Sequence, residues 1–118
     1  MAVNRASIVD QNFLDTIRSL KAGPGPSDLH ISMHSGSRLS ARQAIEIFES
    51  MVTSRHLDLE ARALKSQGQS FYTIGSSGHE GDAAVAASCL PTDIAFLHYR
   101  SGAFFIQRAR QVPGSTPM

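Results

Sequence analysis

The sequence has little of what marks secreted, membrane or nucleic-acid-binding proteins. It holds one cysteine, Cys89, which excludes an internal disulfide framework and is typical of a reducing compartment. Its formal net charge is only +1, so it carries no electrostatic footprint for DNA, RNA or an anionic membrane. No apolar run approaches the roughly 18 residues that cross a bilayer. The N-terminus lacks the apolar segment of a signal peptide, and Asp10 and Asp15 argue against a transit peptide, so we expect a cytoplasmic protein.

The length of 118 residues, with 42% hydrophobic and 18% charged residues, is that of one domain. We interpret residues 1–38 as an N-terminal extension laid over another part of the protein. Apolar residues at helical spacing predict a helix over 8–21, and the Gly-Pro-Gly-Pro sequence at 23–26 ends it. Apolar and polar residues alternate over 29–33, which indicates a short edge strand or an extended arm.

The second part of the chain, residues 39–118, begins with a long predicted helix. Ser40 and Gln43 form a capping box at its start, and no glycine or proline interrupts it before Gln67-Gly68. Such a helix of roughly 27 residues would be about 40 Å long. This length is typical of a helix that packs inside a larger domain. The apolar face of the helix has no obvious partner in so short a chain.

The remaining elements are shorter. The Ala-rich segment 79–90 predicts a helix that lets neighbouring backbones approach closely. The apolar run at 94–97 lies between turn signals and predicts a buried strand. A further helix around 103–106 ends before Pro113. We therefore predict a mostly α-helical chain with one or two short strands.

Candidate chemistry lies between Gly68 and Arg100. The helix that begins at Gly78-His79-Glu80 follows a Gly/Ser loop, where free amides can receive an anion. Tyr99 and Arg100 follow the predicted strand, and both can donate to phosphate oxygens. The alternative from the residues alone is that Arg100 pairs with a surface carboxylate and Tyr99 closes the edge of the core.

Four motifs in order resemble those of one enzyme family. They are MVTSRHLD at 51–58, Gln-Gly at 67–68, GSSGHEG at 75–81, and Leu-Pro-Thr-Asp at 90–93 followed after five intervening residues by Tyr99-Arg100. Together they resemble the beginning of the α component (E1) of thiamine-diphosphate-dependent 2-oxo acid dehydrogenases, which act on pyruvate or branched-chain 2-oxo acids. Gly81 stands where the family usually has Ala, and Ile74 stands near the position of a pocket histidine in the pyruvate type.

The resemblance implies a parent fold of the α/β class, with a parallel sheet, and a role for Tyr99 and Arg100 in binding the diphosphate of thiamine diphosphate. It places His79 and Glu80 near the cofactor, where Glu80 would orient a loop amide or the Arg100 guanidinium. A purely structural role, as a carboxylate and an exposed histidine at a helix start, stays open for these two. The implied reaction is oxidative decarboxylation of a 2-oxo acid with acyl transfer to a lipoyl group. The implied partners are a β component, or a fused β half, and the lipoyl-bearing E2 component, in a homo- or hetero-oligomer.

Two departures from the family indicate an N-terminal fragment that is inactive alone. The Gly-Asp-Gly…Asn segment, which would supply ligands to Mg²⁺, is absent from the sequence, and so is the β-component glutamate that activates the cofactor. We therefore expect no catalytic residue, no metal ligand and no bound cofactor in this chain. The alternative is a non-catalytic helical interaction module derived from the same family, with the 40–67 helix as its docking surface.

Other reactive side chains carry weaker predictions. His30 and His34 would share one face only in a helix, and no cysteine or carboxylate lies nearby at metal-ligand spacing. Cys89 is expected to be a small core residue, and Ser76 and Ser77 lack the context of a hydrolase nucleophile.

Overall fold

Four helices make up 52% of the residues described by the structure, a computed structural model that describes residues 3–25, 28–71 and 74–115. This confirms the prediction of a mostly helical chain. The helices are α1 (Arg5–Ser19), α2 (Ala41–Ser66), α3 (Asp82–Ser88) and α4 (Gly102–Arg110). The α/β parent fold stays a prediction.

Helix α1 forms where the sequence predicts a helix, displaced by two or three residues toward the N-terminus. The side chain of Asn4 caps it by accepting from the Ser7 amide at 3.4 Å. Its end at Ser19 precedes the glycine and proline residues, of which Pro26 lies outside the described residues. None of residues 5–19 is buried, so α1 lies on the surface of the other helices.

Helix α2 confirms the capping box and the predicted length. The Gln43 amide donates to Ser40 Oγ at 3.3 Å, and the Ser40 amide donates to Gln43 Oε1 at 3.0 Å. The helix runs for 26 residues. Gly68 then takes a φ of 73°, a left-handed conformation that glycine adopts readily, and the Gln69 amide returns to the Leu64 carbonyl at 2.9 Å.

The alternating segment before α2 forms neither a strand nor an extended arm, because it consists of turns and bends around a single β-bridge. It folds back on the start of α2 through amide-to-carbonyl bonds from Met33 to Leu39 and from Ala41 to Ile31, each 2.9 Å. The resulting antiparallel bridge between Ser32 and Ser40 is the one β-pairing among the residues that the structure describes.

The predicted buried strand at 94–97 is wrong. This segment is neither strand nor helix, and the side chains of Ile94 and Phe96 are 89% and 101% exposed. A strand needs a neighbouring strand to satisfy its backbone groups, and residues 3–25, 28–71 and 74–115 provide none beside it. Without that neighbour, Ile94 and Phe96 stay exposed, whereas Ala95 and Leu97 are half-buried.

Helices α3 and α4 form, but α3 is shorter than predicted. It begins at Asp82 instead of His79, because residues 78–81 form a turn in which the Gly78 amide donates to the Glu80 carboxylate at 2.8 Å. Helix α4 ends at Arg110, before Pro113 as predicted. Within the described ranges, no helix is both long enough and apolar enough to span a membrane.

The core is built from small side chains where α2, α3 and α4 meet. Ala83, Ala86 and Ala103 are completely buried, and Phe104 and Ile106 of α4 fill the remaining space. At Gly102 a Cβ atom would lie 3.0 Å from Ser54 Oγ, so glycine allows α4 to approach α2. Because the helices meet through small residues, several large apolar side chains are left outside; they include Phe48, Val85, Leu90 and Phe105.

Enlarging a residue in this core should destabilise the chain. We expect Ala86→Leu to lower the free energy of unfolding by about 1–3 kcal/mol, because the extra atoms force α3 away from α4. The matched control is Ala84→Leu, which adds the same atoms on the exposed side of α3 and should change stability by less than about 0.5 kcal/mol. Urea unfolding followed by circular dichroism measures both, and equal losses would contradict the packing described above.

Candidate functional site

A buried arginine surrounded by carboxylates lies at the centre of the polar contacts. The Arg55 side chain is 3% exposed. Its Nη2 lies 2.8 Å from Asp10 Oδ1 of α1, and its Nη1 lies 2.8 Å from Asp58 Oδ2, one turn further along α2. Its Nε lies 3.4 Å from Glu80 Oε1, in the turn before α3. We call these four residues the Arg55 cluster; they connect α1, α2 and the 78–81 turn.

The cluster extends into the loop that precedes α3. Asp58 Oδ2 accepts bonds from the amide and the hydroxyl of Ser76, at 2.7 and 2.9 Å. Ser54 Oγ donates to Ser76 Oγ at 2.8 Å. Both serines are buried, so each hydroxyl satisfies the other inside the protein. The loop is thereby fixed to α2 by side chains and not by backbone pairing.

Arg100 is attached to the same loop. Its Nη1 donates to the carbonyl of Gly75 at 2.8 Å, and its guanidinium lies 5.4 Å from the centre of the Tyr99 ring. A Cβ atom at Gly75 would lie 3.0 Å from Arg62 Nη2 and 3.3 Å from Asp58 Oδ2, so glycine lets the loop approach these two side chains of α2. Tyr99 is 65% exposed. The alternative derived from the residues alone therefore fails: Arg100 binds a backbone carbonyl rather than a surface carboxylate, and Tyr99 does not close the core.

Three of the four predicted site residues lie in one run of stacked groups. The rings of Tyr99 and His98 are 3.7 Å apart, and those of His98 and His79 are 6.1 Å apart. The Arg100 guanidinium lies 5.4 Å from the Tyr99 ring, so the run comprises His79, His98, Tyr99 and Arg100. His98 connects the run and is a residue that the sequence reasoning did not select.

Glu80 is oriented differently from the other predicted residues. One of its oxygens accepts from the Gly78 amide at 2.8 Å, and the other faces Arg55 at 3.4 Å. The resemblance implies that Glu80 contacts either a loop amide or the Arg100 guanidinium. The structure shows the contact with a loop amide, that of Gly78. The arginine that Glu80 faces is Arg55 and not Arg100. Two amides that the sequence predicts to be free at this turn are already bonded, the Gly78 amide to Glu80 and the His79 amide to the Ser76 carbonyl, each at 2.8 Å.

A cavity of about 400 Å³ lies between α1 and the 74–77 loop. Its lining includes three arginines from three parts of the chain, Arg5 of α1, Arg62 of α2 and Arg100. The one acidic residue in the lining is Asp10, which pairs with Arg62 as well as with Arg55. We call this space the arginine cavity. Its excess of guanidinium groups suits an anion with several oxygen atoms.

Sequence reasoning missed the Arg55 cluster and Arg62, although part of the signal was present. Arg55, Asp58 and Arg62 are spaced i, i+3 and i+7, which places all three on one face of α2. That spacing predicts the pair between Arg55 and Asp58. It does not predict the contact with Asp10, which lies 45 residues away in the sequence.

The histidines and the cysteine show no cluster of metal ligands. Nowhere in the described part of the chain do three His, Cys, Asp or Glu side chains come together to hold a metal ion. His34 Nδ1 lies 2.9 Å from the Ser35 carbonyl, in the turn before α2. Cys89 is a half-buried free thiol at the end of α3.

Removing the positive charge at Arg55 should destabilise the chain strongly. Arg55→Met keeps much of the side-chain volume but leaves three carboxylates without their shared partner, and we expect a loss of about 3–5 kcal/mol. The control is Arg18→Met, since Arg18 is 69% exposed and its pair with Asp15 belongs to a class that contributes at most about 1 kcal/mol. Chemical denaturation compares the two, and similar unfolding midpoints would show that the cluster does not stabilise the fold.

The comparisons with known proteins assign no family. No family model, curated protein or solved structure matches the chain. The resemblance to the 2-oxo acid dehydrogenases stays a prediction from the four sequence motifs and their order.

Proposed function

We propose that the chain is the N-terminal part of the α component of a thiamine-diphosphate-dependent 2-oxo acid dehydrogenase. The observation that supports it is the grouping of His79, Tyr99 and Arg100, which motifs 20 residues apart in the sequence bring into one stacked run. The site lies beside the arginine cavity, which Arg100 also lines. This arrangement provides a surface on which an anionic cofactor can rest.

The donor groups present fit the diphosphate end of the cofactor. Arg100 has five N–H donors, and its bond to Gly75 uses one of them. The exposed Tyr99 side chain adds a hydroxyl donor. In this proposal Arg100 and Tyr99 bind phosphate oxygens, His79 extends the surface of the site, and Glu80 holds the 78–81 turn in place through Gly78 and Arg55. Carbanion stabilisation at the thiazolium ring is the chemistry that the cofactor supplies when bound.

The remaining parts of the reaction would come from other segments. Mg²⁺ needs oxygen ligands, and the family's Gly-Asp-Gly…Asn segment does not occur in this sequence. A β component or fused β half would complete the site, and a lipoyl-bearing E2 component would accept the acyl group. The proposed substrate is pyruvate or a branched-chain 2-oxo acid, and the proposed location is the cytoplasm. On this proposal the chain by itself is inactive.

A second candidate function, a non-catalytic helical interaction module, is favoured by one observation. Large apolar side chains are exposed on α2, on α4 and in the 94–97 segment, with Phe48 at 53%, Phe105 at 52% and Phe96 at 101%. Exposed apolar side chains mark a contact with another protein surface where they form a contiguous patch. The two candidates differ in whether Arg100 matters for binding a cofactor.

Cofactor titration of the chain alone and of a completed site tests the proposal. Calorimetry with thiamine diphosphate and Mg²⁺ should show no micromolar binding to the chain alone. When the metal-binding segment and a β component of a branched-chain 2-oxo acid dehydrogenase are added, binding should appear. In that complex Arg100→Gln should weaken it by about 10–100-fold, which corresponds to the loss of a charge-assisted hydrogen bond.

The control for this experiment is Arg110→Gln, which removes an arginine from α4 that pairs with Glu49, outside the lining of the arginine cavity. It should leave the cofactor affinity unchanged. Equal affinity of the Arg100 and Arg110 variants would remove Arg100 from the site. Micromolar binding by the chain alone would contradict an incomplete site, and complete failure to bind in the presence of the added segments would favour the interaction module.

A further inference from the structure

Helix α1 is held against the other helices by few contacts. Asp10 pairs with Arg55 and Arg62, and the ring of Phe13 lies 5.6 Å from that of His56 and 5.5 Å from the Arg55 guanidinium. None of residues 5–19 is buried. Apolar burial therefore contributes little to its position, and the Asp10 carboxylate is the main attachment. Because α1 contributes no buried side chain, its position depends mainly on the ion pairs of Asp10.

The same helix forms one wall of the arginine cavity. Arg5, Ala6, Val9 and Asp10 of α1 line one side, and Arg62, Gly75, Ser77 and Arg100 are among the residues that line the other. Any molecule that fills the cavity therefore touches both α1 and the rest of the chain. The position of α1 and the occupancy of the cavity are then coupled.

The positive charges on both sides of the arginine cavity indicate that an anion would hold α1 against the rest of the chain. Arg5 on α1 faces a cavity that Arg62 and Arg100 also line, so these like charges oppose the approach of the first turn of α1. The Asp10 carboxylate is shared with the buried Arg55 and offsets only part of this charge. An anion with several oxygens can accept bonds from both sides at once, as guanidinium groups bind phosphate in a planar, two-bond geometry.

We propose that the arginine cavity is a site for a phosphate-class anion, that Arg5 of α1 is one of its donors, and that anion binding fixes α1 against the rest of the chain. The part concerning Arg100 rests on the proposed function, whereas the part concerning Arg5 and α1 goes beyond it. The anion is either free phosphate or diphosphate, or the diphosphate group of a larger cofactor. In either case α1 acts as a strap across the occupied cavity.

Hydrogen exchange in the presence of inorganic pyrophosphate tests whether anion binding fixes α1. The amides of residues 5–19 are followed by mass spectrometry in millimolar inorganic pyrophosphate and in sodium chloride of equal ionic strength. Pyrophosphate should slow their exchange, and the effect should saturate with concentration. Asp10→Asn should speed exchange of α1 in chloride, because it removes the attachment to Arg55 and Arg62.

Two arginines of α1 provide a matched pair of variants. Arg5→Gln should weaken pyrophosphate binding about tenfold and abolish the slowing of α1 exchange, as expected when one charge-assisted bond is lost. Arg18→Gln removes the same charge from the same helix outside the cavity lining, at a side chain 69% exposed, and should behave as the unmodified chain. Both variants lie in an exposed helix, so the core stays intact.

The outcomes separate this proposal from the proposed function. The proposal that an anion fixes α1 is contradicted if pyrophosphate leaves the exchange of α1 unchanged. It is also contradicted if Arg5→Gln behaves as Arg18→Gln does. A larger cofactor as the source is indicated when thiamine diphosphate slows α1 exchange at lower concentration than pyrophosphate does; equal or weaker potency indicates the free anion. If Arg5→Gln weakens pyrophosphate binding and Arg100→Gln does not, the role of Arg5 and α1 is supported. The role of Arg100 in binding the diphosphate is then contradicted.

Discussion

The buried guanidinium of Arg55 is the interaction on which the other contacts depend. A charged group that is 3% exposed loses most of its hydration, and this cost is offset only when hydrogen-bonding partners of opposite charge surround it. Its partners come from α1, from α2 itself and from the turn before α3. Neutralising one arginine therefore requires three segments to be in place at the same time. Because the apolar core is small, the ion pairs of Arg55 contribute much to the positions of α1 and the 75–81 segment.

The candidate site follows from the same set of contacts. Asp58 binds both Arg55 and the Ser76 backbone, which holds the loop so that the Gly75 carbonyl faces Arg100. The Arg100 guanidinium lies over the Tyr99 ring at 5.4 Å, and the Tyr99 ring lies 3.7 Å from that of His98. Arg100, which is proposed to bind an anion, is thus positioned through Asp58, which also neutralises the buried Arg55. Glu80 contributes to positioning as a partner of Arg55 and Gly78.

Small residues in the core explain why both an enzyme segment and an interaction module are reasonable functions. Alanine and glycine let α2, α3 and α4 approach closely, but they leave Phe48, Phe96 and Phe105 without a place inside. If the chain is part of the proposed dehydrogenase, such side chains would face further layers of the same protein or its β component. In a module they would face another protein. The chemistry of Arg100 and Tyr99 is the feature that favours the first of these functions.

The sequence by itself determined the elements whose signals are local. The Ser40 capping box, the uninterrupted run to Ser66 and the glycine at 68 are sufficient for α2, because each acts within one or two turns of the helix. The tertiary structure decided the rest. The 94–97 segment lacks a neighbour among the described residues, so its β-strand signal produces no strand. The turn at Glu80 and the contact between Arg55 and Asp10 depend on charges that meet only after the helices pack, because Coulomb attraction and desolvation depend on distance in space and not on separation along the chain.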